Sequence, residues 1–334
     1  MGYILRRVGQ ALLVLALTYT LAYLLLAALP GDAVLARYGS PELGLSVEQL
    51  AEIRSSYGAD RSLLERFADS TLGFLRGELG YSVQSGASVA ALIATALPST
   101  LVLAVAGIVV AVFLAVTIAF TATYGGALWL RRLFQAIPPF LVSLPVFWVG
   151  IVLVQIFSFR LGLVPVIGAD PVQALILPVA TLSIPIAAPL AQVLMRSIEE
   201  VREQPFVAVV RSRGASTSWL LWRTVARNAL LPTLTMAGVL FGELVGGAVV
   251  TESVFARAGV GQLTAQAVAN RDTPVLLAVV VLSTVVFVVV NLVVDLLYPV
   301  LDARLRTSSA GRRPGSRPEA GGEPAVIREK EVVR

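Results

Sequence analysis

Cysteine and histidine are both absent from the 334 residues, and lysine occurs once, as Lys330. Without Cys or His there are no zinc sites built on them, no thiol nucleophile and no Ser-His dyad. A P-loop needs a lysine after its glycines, so ATP hydrolysis of that kind is excluded from this chain. No resident metal or other cofactor is expected. Charge is also scarce. Only 14% of residues are charged, against about 25% in soluble domains, while 57% are hydrophobic. Mean hydropathy is +0.82. A long chain of this composition needs lipid as solvent for much of its surface. The net charge of +5 does not point to nucleic acid, because the arginines are scattered over loops and a tail, with no basic stripe interleaved with aromatics.

Six stretches are long and apolar enough to cross a bilayer, which takes about 20 residues. They run over Val8–Leu29, Thr100–Ala122, Leu133–Phe159, Ala174–Met195, Leu230–Val250 and Val275–Val300. The third contains Pro138, Pro139 and Pro145, and the fourth Pro178, Pro185 and Pro189. The first follows Arg6 and Arg7 but is longer than a signal-peptide core, so it reads as an uncleaved anchor. Arginine placement orients the bundle. Arg6 and Arg7, Arg131 and Arg132, the six arginines between spans four and five, and Arg304 and Arg306 fall on one side if there are six spans. That side is the expected cytoplasm, with both termini in it. The expected fold is an all-α multi-pass protein of the inner (plasma) membrane.

Residues 1–30 then form an anchor, 31–97 an external helical cap, 98–306 the core and 307–334 a tail too polar to fold. In the cap, Ser46 with Gln49 reads as a capping box for a helix ending near Gly58. Asp60 is the expected cap of a second helix, with Leu63, Leu64, Phe67, Thr71, Leu72 and Leu75 on one face and Gly77 as its end. A third short helix is expected after Ser88. The apolar face should be buried on the outer mouth of the bundle.

The segment between spans four and five carries the most information. Glu199, Glu200 and Glu203 extend the fourth helix beyond the membrane. Pro205 suits the first turn of a new helix, whose apolar side is Phe206, Val207, Val209 and Val210, and Gly214 ends it. Trp219, Leu220 and Trp222 follow beside Arg223 and Arg227. Such a helix either docks into a partner or lies on the lipid.

Here the sequence resembles the binding-protein-dependent ABC-transporter permeases of the dipeptide/oligopeptide/nickel branch. The matching pieces include Leu29-Pro-Gly-Asp32, Leu97-Pro-Ser-Thr100, Ser143-Leu-Pro-Val-Phe-Trp148, Arg227-Asn-Ala-Leu-Leu-Pro232, Gly246-Gly-Ala-Val-Val-Thr-Glu-Ser-Val-Phe255, Gly259-Val-Gly261, Arg271-Asp272 and Asn291-Leu-Val-Val-Asp-Leu-Leu-Tyr298. Their order is more specific than any one of them. The resemblance implies a transport subunit, not an enzyme, that imports short peptides alongside a second related permease. Two ATPases carrying ATP and Mg and an external substrate-binding lipoprotein complete the system. The branch also moves nickel, haem and glutathione. It further implies a coupling helix at about 204–219 that seats in an ATPase groove, through Pro205, Phe206, Val207, Val210, Arg211, Arg213, Gly214 and Ala215. The Glu-Ala-Ala of the wider superfamily is replaced here by Ala208, Val209 and Val210, which leaves Arg211 and Arg213 as candidate polar anchors.

Polar groups inside a bilayer are costly and usually face inward. Glu243 is either a contact for a peptide amino group or a structural, neutral or paired carboxyl. Gln155 and Gln192 line the path or hold helices together. Asn291 and Asp295 share a face at i, i+4 and read as helix glue, and Glu252 as an organiser of the outer loop with Phe255 and Gly259. Two other classes stay in view. An ion-driven secondary transporter requires paired mid-membrane ionisable groups, a demand only Glu243 meets. An intramembrane enzyme requires a nucleophile with its base.

Overall fold

The computed structural model describes residues 2–28, 38, 45–56, 61–165 and 168–301. The polar tail, Gly58 and Asp60 lie outside the described residues. So do the side chains of Arg227 and Asp295, although both positions are helical. Among the described residues the structure is helical, and the one β-type pairing is an isolated bridge between Tyr81 and Ser88.

The chain opens with α1 (Gly2–Ala28), and two shorter helices follow, α2 (Val47–Ser56) and α3 (Leu63–Leu75). The Ser46–Gln49 box forms as expected, with the Gln49 amide N–H donating to the Ser46 hydroxyl and the Ser46 N–H to Gln49 Oε1. The cap of α3 is Ser62 rather than Asp60, in a second capping box with Glu65. Arg76 is its C-cap, and Gly77 turns the chain with φ +82°, a value glycine adopts without strain.

The helix expected after Ser88 is not separate. Ser88 begins α4 (Val89–Tyr124), whose 36 residues run from the cap through the second span without a break, past Pro98. The third span departs further from expectation. It is two arms, α5 (Leu128–Val142) and α6 (Val146–Leu153, continued by a π-helical turn to Arg160), meeting at 110°. The break falls at Ser143–Pro145, where proline disfavours a helical residue before it and withholds an N–H.

The fourth span is α7 (Gln173–Arg202), continuous despite its three prolines. A short α8 (Pro205–Ser212) and α9 (Thr217–Leu220) come next, with a π-helical turn at Leu221–Val225 leading into α10 (Ala226–Val254). This fifth span bends by 51° between its Asn228–Leu244 and Gly247–Val254 parts. The chain then forms α11 (Val260–Ala269) and α12 (Thr273–Leu301). Among the described residues four helices are long and apolar enough to cross a membrane, and there are up to six spans if each bent pair is counted as one.

The core is the contact of α4 with α7 and α10. Ala111, Ala115 and Ala119 of α4 are fully or almost fully buried, as are Ala187, Leu190, Ala191 and Leu194 of α7. Small residues every fourth position let helix backbones approach closely, which is how helices associate where lipid removes the hydrophobic drive. Gly107 continues that row. A Cβ there would lie 3.1 Å from Leu182 Cδ2.

Candidate functional site

Two places concentrate chemistry, and they lie at opposite ends of α10. At its first end is a foot made by α8, α9 and the π-helical turn. Pro205 occupies the first turn of α8, where its missing N–H costs nothing. Val207 is buried, and it packs with Leu220, Val225 and Ala229 against Leu194 and Ile198 of α7 and Ala119 of α4; Val210 is partly buried in the same cluster. Burial of one such valine contributes about 2 kcal/mol. Phe206 and Val209 point the other way, 38% and 49% exposed, and Arg211, Arg213 and Gly214 are exposed as well, with Ala215 half-buried. The expected single apolar side is therefore split. Val207 and Val210 hold the helix onto the bundle, while Phe206 and Val209 remain available.

Gly214 ends α8 with φ +83°, its N–H donating to the Arg211 carbonyl at 3.0 Å. A side chain there would meet open space, so the backbone angle alone calls for glycine. Ser216 caps the next turn through its hydroxyl, which accepts from the Trp219 N–H. Trp222 stacks on Phe120 of α4 at 5.2 Å, and the Arg202 guanidinium lies 5.2 Å from the Tyr124 ring centre. These aromatic ties to α4 were not legible in the sequence, since the partners are 102 and 78 positions apart.

The other end of α10 holds Glu252, which is fully buried. Its Oε2 accepts from the backbone N–H of Gly261 at 2.7 Å and of Gln262 at 3.1 Å, at the first turn of α11. Thr100 of α4 donates its hydroxyl to Oε1 at 2.6 Å and accepts from the Val260 N–H at 2.8 Å. A carboxylate on a helix N-terminus satisfies orphan donors and suits the helix dipole. The glycines of Gly259-Val-Gly261 exist for this contact. A Cβ on Gly259 would lie 2.2 Å from the Glu252 carboxyl carbon, and one on Gly261 2.4 Å from the Val249 Cα. Phe255 is not bonded to the carboxylate; its ring would instead lie 3.5 Å from a Cβ on Gly150. Arg257 donates to Ser99 at 3.1 Å. Asp272, also buried, accepts from the Ser82 hydroxyl and from the N–H groups of Val83 and Gln84, tying the cap to the start of α12. Both carboxylates stood in the sequence motifs, but the partners Thr100 and Ser82 did not follow from any spacing.

The remaining candidates scatter. Glu243, Gln155 and Gln192 are all exposed on the surface of the chain, on α10, the π-helical turn after α6 and α7 respectively. Glu243 shares its stripe of α10 with exposed Val239 and Val250. Asn291 donates to the Phe287 carbonyl of its own helix, so this bond is local rather than a tie between helices. A cleft of about 840 Å³ opens beside the cap, lined in part by Tyr23, Arg66, Asp69, Glu78 and Pro274. Among the described residues no three acidic, Cys or His side chains cluster as a metal site would require.

Among the described residues the fold is an all-helical bundle with a foot at one end of α10 and a buried carboxylate node at the other, and it can be compared with known proteins. The family profile described as binding-protein-dependent transport system inner membrane component matches residues 107–307. The glutathione transport system permease protein GsiC of Escherichia coli O6:H1 is 34% identical over 306 residues, covering 92% of this chain and 99% of that protein. The same-named protein of Salmonella typhimurium is also 34% identical over the same coverage. A crystal structure of an amino acid ABC transporter with histidines superposes with a TM-score of 0.51 at 17% identity, over 63% of this chain and 94% of that one, a likeness of fold alone. This chain belongs to the binding-protein-dependent transport system inner membrane components, and is a multi-pass permease subunit of an ABC importer in the peptide and nickel branch.

Proposed function

We propose that this chain forms one half of a translocation path for short peptides, with glutathione the first substrate to test, and that a second permease supplies the other half. Two separate ATPases would receive the foot at 204–219, and an external substrate-binding lipoprotein would deliver the cargo. Both termini then lie in the cytoplasm. The observation that carries the reading is the two-sidedness of α8: Val207 is buried against the bundle while Phe206, Val209, Arg211 and Arg213 are presented outward. A helix lying passively on lipid would have no reason to invest its inner valines in the ends of α4 and α7. The substrate class is supported by the glutathione permeases, which this chain matches along 99% of their length. The other cargoes of the branch, nickel and haem among them, remain outcomes of the test.

Glu243 fits the same proposal. An exposed carboxylate in the middle of a spanning helix is costly against lipid, so its stripe is expected to face the second permease across the path, where it would attract a peptide's amino group. Gln155 and Gln192 are secondary candidates for that path.

The test is uptake into proteoliposomes that hold the chain with its second permease, ATPases and binding protein. Labelled glutathione and dipeptides should accumulate only with ATP and binding protein. Uptake by the purified chain alone, or driven by an ion gradient, would overturn the reading. Glu243→Gln should lower uptake about tenfold, the size of one lost charged hydrogen bond, with assembly unchanged. A variant that merely expresses poorly would remove Glu243 from the path.

A further inference from the structure

The cap helix α3 sorts its residues into three sectors. At about 100° per residue, Phe67, Ser70, Thr71 and Phe74 fall together, and this sector packs inward. Phe67 and Phe74 lie 6.0 and 5.4 Å from the Tyr19 ring of α1, and the Tyr19 hydroxyl donates to Ser70 Oγ at 2.8 Å. The second sector is polar: Glu65, Asp69 and Arg76 are exposed and Arg66 partly so. The third is Leu64, Ala68, Leu72 and Leu75. Its leucines are 77%, 52% and 79% exposed, with no covering element among the described residues. The single apolar face expected from the sequence is therefore two faces. Only the one carrying the phenylalanines is buried.

The depth of this helix can be measured against the two spanning helices it touches. Its aromatic residues join a cluster with Tyr19, Leu277 and Val281. On α12, Leu277 and Val281 lie four and eight residues beyond Thr273, so about 6 and 12 Å from that helix's start. On α1, Tyr23 and Tyr19 lie five and nine residues before Ala28, about 7.5 and 13.5 Å from its end. Both scales place the cluster inside the apolar length of spans that run Arg6–Ala28 and Thr273–Val293. An amphipathic helix lying in a membrane interface sits about 5–10 Å into the headgroup and acyl boundary.

We propose that α3 is embedded in the leaflet on the cap side of the membrane, with Leu64, Leu72 and Leu75 in contact with lipid acyl chains. The bundle then occupies one third of the helix surface, the bilayer a second and water the last. This surface continues that of α1, whose Leu17, Leu21, Leu24 and Leu25 are 46–62% exposed in the same apolar length. The polar sector lies on the water side, where Arg66 and Asp69 line the cleft beside Glu78 and Pro274. The cap is thus anchored by lipid as well as by protein, and its position responds to the thickness and lateral pressure of one leaflet.

The chain holds no native cysteine, so single-cysteine labelling reports one site at a time. Leu64→Cys, Leu75→Cys and, on the polar sector, Asp69→Cys would each carry an environment-sensitive fluorophore, in the assembled transporter in phosphatidylcholine vesicles. Lipid bearing a nitroxide at acyl carbon 5 should quench positions 64 and 75 about twofold and leave 69 nearly unaffected, while aqueous iodide should do the reverse, as expected for an interfacial depth. Iodide reaching 64 and 75 as well as 69 would show a free aqueous surface and overturn the proposal. Protection of 64 and 75 from both quenchers would show that a protein partner covers them, and would overturn it equally.

Discussion

The two ends of α10 are held by different physics. At the end near Glu252, one buried carboxylate satisfies two backbone donors and a threonine hydroxyl, over glycines that leave no room for a methyl group. At the foot, attachment rests on aliphatic burial around Val207 and on stacked rings, and Gly214 stands in open space. Directional hydrogen bonds in a dry site fix a geometry and are costly to leave unmade. Hydrophobic contact is non-directional and tolerates small displacements. If the foot receives an ATPase as proposed, that division would let one end yield to a push while the other keeps its register.

Removing the carboxylate should break the comparison most severely. Glu252→Ala orphans the Gly261 and Gln262 N–H groups and strips Thr100 of its acceptor. With about 1–3 kcal/mol for each buried donor left unsatisfied, it is expected to cost about 3–5 kcal/mol, read as a large fall in Tm of the detergent-purified chain. An unchanged Tm would mean that the Glu252 node is not a fixed point.

Next in size is Gly214→Val, which forces a branched residue to φ +83°. The strain is about 1–2 kcal/mol, small enough for the chain to stay in the membrane. ATP hydrolysis should continue while uptake falls, and unimpaired uptake would count against the foot as the site of coupling.

A third pair of variants sharpens the contrast within α8 itself. Val207→Ala should lower stability by about 1–2 kcal/mol because it empties a packed site. Phe206→Ala should leave Tm unaltered and weaken ATPase binding. If the two variants behaved alike, α8 would not be two-sided.

The smallest effect concerns α3. The Ser62 N–H and hydroxyl hold the Glu65 carboxyl below the usual carboxylate range. A depressed folded value means this cap contributes fully at neutral pH, above the unfolded pKa, and is lost as pH falls through the folded one. The protection of the first α3 amides, taken as their exchange rate relative to the intrinsic rate at each pH, should therefore fall on acidification, and Ser62→Ala should flatten that dependence.

Much of the fold was legible because lipid-spanning helices announce themselves by length. The anchor, the second, the fourth and the last apolar stretches each became one long helix, and the Ser46–Gln49 box formed where its spacing placed it. The third stretch misled because apolar composition is blind to direction: Leu133 to Phe159 is uniformly greasy, yet the chain turns by 110° at Ser143–Pro145. Proline content alone did not distinguish that break from α7, which keeps three prolines without interruption. In the foot, periodicity identified an apolar side but not its division, because which valine is buried depends on Leu194 and Ala119, set by tertiary packing. The motifs point to Glu252 as an organiser of the loop after α10, but its bond to Thr100 spans 152 positions, and no local pattern encodes a contact of that range.

The unbroken length of α4 has a mechanical consequence. Its 36 residues make a rod about 54 Å long, well beyond the roughly 30 Å hydrocarbon thickness. Thr100, fastened to Glu252, and Phe120, stacked on Trp222, stand 20 residues apart, about 30 Å along this lever arm. Pro98 interrupts the backbone ladder just outside the fastened point, where a fulcrum would be softest. A 10° swing about Thr100 would carry the Phe120 ring sideways by about 5 Å. That is the width of one helical turn, reached without any helix having to melt.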